Sequence, residues 1–199
     1  MSAKSEIRRH ASPEVRRAQI LDAAQACLAR SGYHQTTMDD LVRESGLSKG
    51  SLYWHFESKQ EVLLALFDRY TDEFFAAWGE HAGAPHVSPA EVVVLGSELF
   101  VERVANLDAL AQAWLGFLEH PLARQRLADL YTRSRVLLTD LVERAVARGE
   151  LATDAPDAVA AGLVGLAEGI FLQAIVDPSF DPGPSLRLAT DALLKGLAP

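Results

Sequence analysis

Apolar residues recur along this chain at three- and four-residue intervals, and no stretch alternates in the manner of a strand. The pattern predicts an all-α protein of about nine helices. Ser12-Pro13 is a cap followed by proline in the first turn. It opens a helix to about Arg30, with Gly32 as its stop and Ile20, Ala23, Ala24, Cys27 and Leu28 facing inward. Thr37 caps a short helix with Asp39 and Asp40 in its first turn, ending at Gly46. Ser48 caps another of about two turns. Ser58 starts a long one, with Glu61 completing a capping box.

The stretch "GEHAGAPHVSPA" is the clearest break, with two glycines and two prolines in residues 79–89. Further helices are expected near 89–105, 108–119, 122–148, 156–176 and 185–197. On the helix over 122–148, Leu127, Leu130, Ser134, Leu137, Leu141 and Ala145 form the expected inward stripe. No internal repeat or low-complexity tract interrupts the pattern.

"KGSLYWHF" does not fit the inward/outward rule of a plain core helix. Leu52 and Phe56 lie one turn apart and point inward with Leu47 beside them. Lys49, Gly50, Ser51, Tyr53, Trp54 and His55 are left outward, with Ser48 at the helix start. An ammonium, hydroxyls, an indole N–H and an imidazole suit phosphate oxygens and base edges, and Gly50 permits close approach to a groove wall. Two short helices joined through Gly46 form a helix-turn-helix. The alternative makes Tyr53 and Trp54 core residues and Lys49 and His55 merely solvated.

Charge sharpens this picture. The formal net charge is −8, yet residues 1–60 carry nine Lys and Arg against seven Asp and Glu, whereas the remainder carries ten against twenty. The basic excess sits at Lys4, Arg8, Arg9, Arg16 and Arg17, as for a small polyanion-facing head on an acidic body. The single cysteine, Cys27, excludes an internal disulfide and reads as a small buried hydrophobe. The polar, basic start has no apolar core behind it, so no secretory signal and a cytoplasmic location are expected.

Residues 16–67, "RRAQILDAAQACLARSGYHQTTMDDLVRESGLSKGSLYWHFESKQEVLLALF", resemble without a gap the DNA-binding domain of the TetR family of bacterial transcriptional regulators. The resemblance rests on "ILDAA", "GY..TTM", "GLSKGSLYWHF" and "SKQEVL". It implies a DNA-binding head over 1–57 and a helical ligand-binding and dimerisation domain over 58–199, with 58–79 as the linking helix. It also implies base-edge positions for Lys49, Gly50, Ser51 and Trp54. Thr37, Tyr53, His55 and Lys59 would take phosphate contacts. The function implied is a sequence-specific regulator of transcription. In its leading form it is a ligand-released repressor that binds a palindromic operator on double-stranded DNA as a homodimer. Activation, or regulation without an effector, stays open, as does an all-helical protein-interaction module.

"AVAAGLVGLAEGIFLQAIV", residues 158–176, is long enough to cross a membrane. Acidic flanks without Lys or Arg, Glu168 near its middle and no other such segment argue instead for a helix buried on all sides, one face on its own domain and the other on a partner. Gly162, Gly165 and Gly169 form a smooth strip that suits close approach by another helix, from the same chain or a partner. The resemblance places 156–176 and 185–197 in a four-helix dimer interface.

For an effector pocket the residues of interest are Phe100, Trp114, Phe117, Tyr131, Phe171 and Gln173. They suggest a small, largely apolar, aromatic or acyl molecule. No cationic cluster asks for a phosphorylated one. His81 and His86 lack the spacing of a metal site, and no P-loop, GxGxxG, HExxH or GxSxG occurs. Neither an enzyme nor a cofactor is expected.

Overall fold

In a computed structural model, residues 12–103, 121–177 and 179–199 are described, with side chains 100–103 excepted. The described residues form eight helices: α1 (Pro13–Gln35), α2 (Met38–Ser45), α3 (Lys49–His55), α4 (Lys59–Ala82), α5 (Pro89–Arg103), α6 (Pro121–Ala147), α7 (Pro156–Val176) and α8 (Pro182–Lys195). The helix expected over 108–119 lies outside the described residues. The chain parts into two compact units, one ending at Arg69 and the other beginning at Tyr70, so the parting falls inside α4.

The first unit is built as its apolar spacing directs. Ile20, Leu21, Ala23, Ala24 and Cys27 of α1 are buried, as are Leu41 of α2, Leu52 of α3 and Phe56 just beyond it. Leu28 is only half-buried. Gly32, with φ 70°, breaks α1 before its last turn. Gly46 ends α2 in the left-handed conformation that a side chain would strain, which sets the tight turn into α3. Gln19 donates to the Ser45 carbonyl at 2.6 Å, and Arg69 pairs with Asp22 at 2.6 Å. These contacts hold α2 and α4 onto α1.

The cap at Ser58 differs in detail from the expected box. Its hydroxyl accepts from the Glu61 amide at 3.2 Å, but Glu61 takes the amide of Glu57, one residue before the cap. α4 continues to Ala82, beyond Gly79, so the break is shorter than the sequence suggested. Ser88 and Glu91 exchange capping bonds that start α5.

The second unit packs α5, α6, α7 and α8 with the end of α4 around Trp78, Val92, Leu138, Leu141, Val142, Ala145, Ala160, Leu163 and Leu186. The Trp78 indole donates to the Val92 carbonyl at 2.7 Å. Gly96 lies under that ring, where an added Cβ would come within 2.7 Å of it. The stripe on α6 is turned slightly from expectation. Leu127, Ser134, Leu141 and Ala145 are buried as read, Leu138 and Val142 join them, Leu137 packs partly buried against the same core, and Leu130 is only half-buried.

α7 buries one side on its own domain and leaves the other uncovered in the single chain. It is long and apolar enough to cross a membrane by length and composition alone, with mean hydropathy 1.9. Ala160 and Leu163 are buried in the core with α6 and α8, while Gly162, Gly165, Gly169, Leu172 and Val176 are exposed. A Cβ at any of the three glycines would meet nothing within 4 Å. The chain's own described helices leave that strip open.

Candidate nucleic-acid interface

The donor-rich face of α3 is set by burial of its opposite side. Leu52 is completely buried and Phe56 nearly so, which turns Lys49, Gly50, Tyr53 and Trp54 outward. Ser51 and His55 are half-buried, a departure from the fully outward set read in the sequence. The residue spacing explains it. Both lie on the flank of α3 that, with Pro13, Arg16 and Trp54, lines a shallow depression at the start of α1. Ser48 caps α3 by accepting from the Ser51 amide at 3.1 Å.

The outward groups already hold partners within the head. The Lys49 ammonium lies 3.0 Å from Asp39 and 5.9 Å from the centre of the Tyr53 ring. Its hydrogen bond to Asp39 raises its pKa above the ordinary lysine value. Thr37 is engaged in a capping box with Asp40. Its hydroxyl accepts from the Asp40 amide at 3.2 Å and donates to the Asp40 carboxylate at 2.6 Å, and its own amide donates to that carboxylate at 2.8 Å. Lys59 donates to the Tyr33 carbonyl at 2.7 Å and sits 4.3 Å over the Tyr33 ring, where burial lowers its pKa. An ammonium has three donors, so this bond leaves two to offer elsewhere.

His55 meets the Trp54 indole edge-on at 4.6 Å. Its pKa is pushed below the ordinary value, first by burial and then by the charges of Arg16 and Arg17, with Glu14 opposing. Arg17 lies over the Phe56 ring at 5.2 Å. The depression thus brings Arg16 beside Ser51 and His55, although in the sequence Arg16 belonged only to a basic arm. Lys4, Arg8 and Arg9 of that arm lie outside the described residues.

The family model "Bacterial regulatory proteins, tetR family" matches residues 20–66, and "BetI-type transcriptional repressor, C-terminal" matches residues 90–198, more than half the chain. The chain belongs to the TetR family. It is a DNA-binding regulator of transcription. It is 27% identical over 198 residues to the transcriptional regulator BetI of Burkholderia thailandensis, covering 94% of this chain and 95% of that one. A TetR regulator from Haloarcula marismortui superposes with TM-score 0.80 at 15% identity, covering 92% and 98% of the two chains. SmeT, the Stenotrophomonas maltophilia efflux-pump repressor, solved in complex with triclosan, gives TM-score 0.72 at 24% identity over 93% and 92%. These two likenesses establish the all-helical fold of this TetR-family regulator. Members of the family bind DNA as dimers and bind small-molecule effectors.

Of the residues expected to line a pocket in the body, Tyr131, Phe171 and Gln173 are fully described. Trp114, Phe117 and the side chain of Phe100 lie outside the described residues. Tyr131 of α6 is half-buried and donates to the carboxylate of Glu168 on α7, and its hydroxyl pKa is raised, first by burial. Phe171 is half-buried one turn beyond Glu168. Gln173 is instead on the exposed side, its amide returned to the Gly169 carbonyl at 3.2 Å, because two residues along a helix turn a side chain to nearly the opposite face. Sequence reasoning used Glu168 only as an argument against a membrane span.

Proposed function

We propose that this regulator is a ligand-released repressor that binds a palindromic operator as a homodimer, with α3 in the major groove. Lys49, Gly50, Ser51 and Trp54 face base edges. Tyr53, His55, Thr37 and Lys59 meet phosphates, with Ser48 at the start of the helix. The observation that carries the reading is the division of α3 itself: Leu52 and Phe56 buried on one side, Lys49, Tyr53 and Trp54 exposed on the other. Donor-bearing side chains turned outward from a helix-turn-helix suit phosphate and base acceptors.

The homodimer is supported by α7 and α8. α7 exposes Leu172 and Val176 on the helical face of the glycine strip, and α8 exposes Leu188 and Leu193. A second copy covers these faces and sets two α3 helices on the half-sites of a palindrome. The head extends over 1–57 and the effector and dimerisation domain over 58–199. The repressor sign follows the BetI-type repressor match over 90–198. A cytoplasmic location follows from work on DNA.

The effector is small and apolar or aromatic, bound in the body near Tyr131 and Phe171. The triclosan held by SmeT is a ligand of that kind. Its binding shifts α4 and changes the separation of the two heads, with a coupling of ~1–3 kcal/mol opposing operator binding. Selection from a random duplex library, with Tyr53→Ala run alongside, tests the DNA reading. An enriched palindrome that the variant loses is expected. A folded, dimeric protein that enriches nothing, or a variant that enriches the same pool, overturns the assignment of α3.

A further inference from the structure

An acidic side chain on a surface that meets a polyanion needs a reason, and Asp39 has such a place. It lies in the first turn of α2, is well exposed, and holds the Lys49 ammonium of α3 at 3.0 Å. Asp39 takes no part in the capping box, which is made by Thr37 and Asp40, and Arg43 pairs with Asp40. Tyr53 flanks the same ammonium from the other side, with its ring centre at 5.9 Å.

We infer that Asp39 is a specificity-determining residue of the operator complex, which aims Lys49 at a base edge and keeps it from serving a phosphate. The inference rests on α3 entering the major groove as proposed above. An untethered lysine is a compact charge on a flexible stem and is satisfied equally by any phosphate. Asp39 and Tyr53 flank its head and bias it toward one position. The ion pair is neutral overall, so it adds nothing to the counterion release that drives sequence-independent binding. The Asp39 carboxylate also repels any phosphate that approaches Lys49. Affinity for arbitrary DNA is given up and discrimination is gained.

The pair also presents an acceptor beside a donor. In the major groove a G·C pair presents the complement, the guanine O6 and N7 acceptors beside the cytosine N4 donor. Lys49 therefore faces guanine and Asp39 the cytosine amino group, and the two together read one G·C pair in each half-site.

The test compares the full-length protein with Asp39→Asn, which keeps the shape and removes the charge. Both are carried through duplex selection, and both are titrated on the selected operator and on a scrambled duplex at several salt concentrations. Asp39→Asn is expected to melt as the parent does and to lose the G·C preference at one position per half-site. Its preference for operator over scrambled duplex falls roughly tenfold. Its binding to the scrambled duplex tightens, and the log–log salt slope steepens by about one per head. In a Lys49→Ala background, Asp39→Asn leaves the salt slope unchanged. An enriched palindrome whose profile and salt slope Asp39→Asn does not alter overturns this inference alone. A parent protein that enriches no sequence overturns it together with the placement of α3.

Discussion

Among the described residues, α3 on the one hand and α7 with α8 on the other expose large hydrophobic side chains of different chemistry. On α3 the exposed groups are Tyr53 (43%) and Trp54 (72%), aromatics with a hydroxyl and an N–H, next to Lys49. On α7 and α8 they are Leu172 (60%) and Val176 (78%), on the face of the bare glycines, and Leu188 (74%), aliphatics without donors. Amphipathic aromatics serve where one partner is hydrated and charged. Bare aliphatics and a glycine strip serve only where water is expelled and another helix comes close. The same departure from the rule of buried hydrophobics thus points to nucleic acid in one place and to a second copy in the other.

The comparison breaks most decisively at Gly165. An added Cβ there meets nothing within 4 Å among the described residues, so Gly165→Arg leaves the monomer folded and raises helix propensity. It places an unpaired charge in the proposed interface, a cost of ~3–5 kcal/mol. Sedimentation should show monomer, and operator affinity should fall by at least a hundredfold. A dimeric variant with parental affinity would move the interface elsewhere.

Leu52 and Trp54 are two residues apart on α3 and should behave oppositely. Leu52→Ala, at a completely buried site, should cost ~2–5 kcal/mol of head stability, read in a thermal or urea melt. Trp54→Ala, at an exposed one, should stay within about 0.5 kcal/mol while weakening operator binding. A melt in which both fall alike would mean that α3 has no free face.

Lys49→Ala and Tyr53→Ala sharpen the DNA side. Each should weaken operator binding roughly ten- to hundredfold in a fluorescence-anisotropy titration, with the dimer intact. The Lys49 variant should lose base preference, whereas the Tyr53 variant should weaken all sequences alike.

The smallest effect belongs to His55. Burial, with Arg16 and Arg17, holds its folded pKa below the ordinary ~6.5, so the unfolded chain takes up the proton first as pH falls. Its contribution to head stability is complete above that value and is lost on acidification below it. His55→Gln should flatten the fall in melting temperature between about pH 7.5 and 5.5. An unchanged slope would show that His55 is already hydrated.

Much of the fold was legible in the sequence because its signals are local. Ser12-Pro13, Thr37, Gly46, Ser48 and Ser58 mark helix ends through bonds made within one turn, and they lie where the pattern put them. The inward pair Leu52 and Phe56 was legible for the same reason, since a period of 3.6 fixes which residues share a face. Those local signals, with the gap-free "GLSKGSLYWHF" resemblance, also pointed to the family and to a DNA-facing α3.

Only the tertiary structure decided the pairings between elements. Asp39 reads as a helix-dipole acid until α3 brings Lys49 beside it, and Lys59 reads as a free cation until Tyr33 is found beneath it. Tyr131 and Glu168, on separate helices, meet only because α6 packs on α7. The exposure of the Gly162–Gly169 strip was equally out of reach. Periodicity states that a face is apolar, whereas what covers it depends on how the other helices pack in three dimensions.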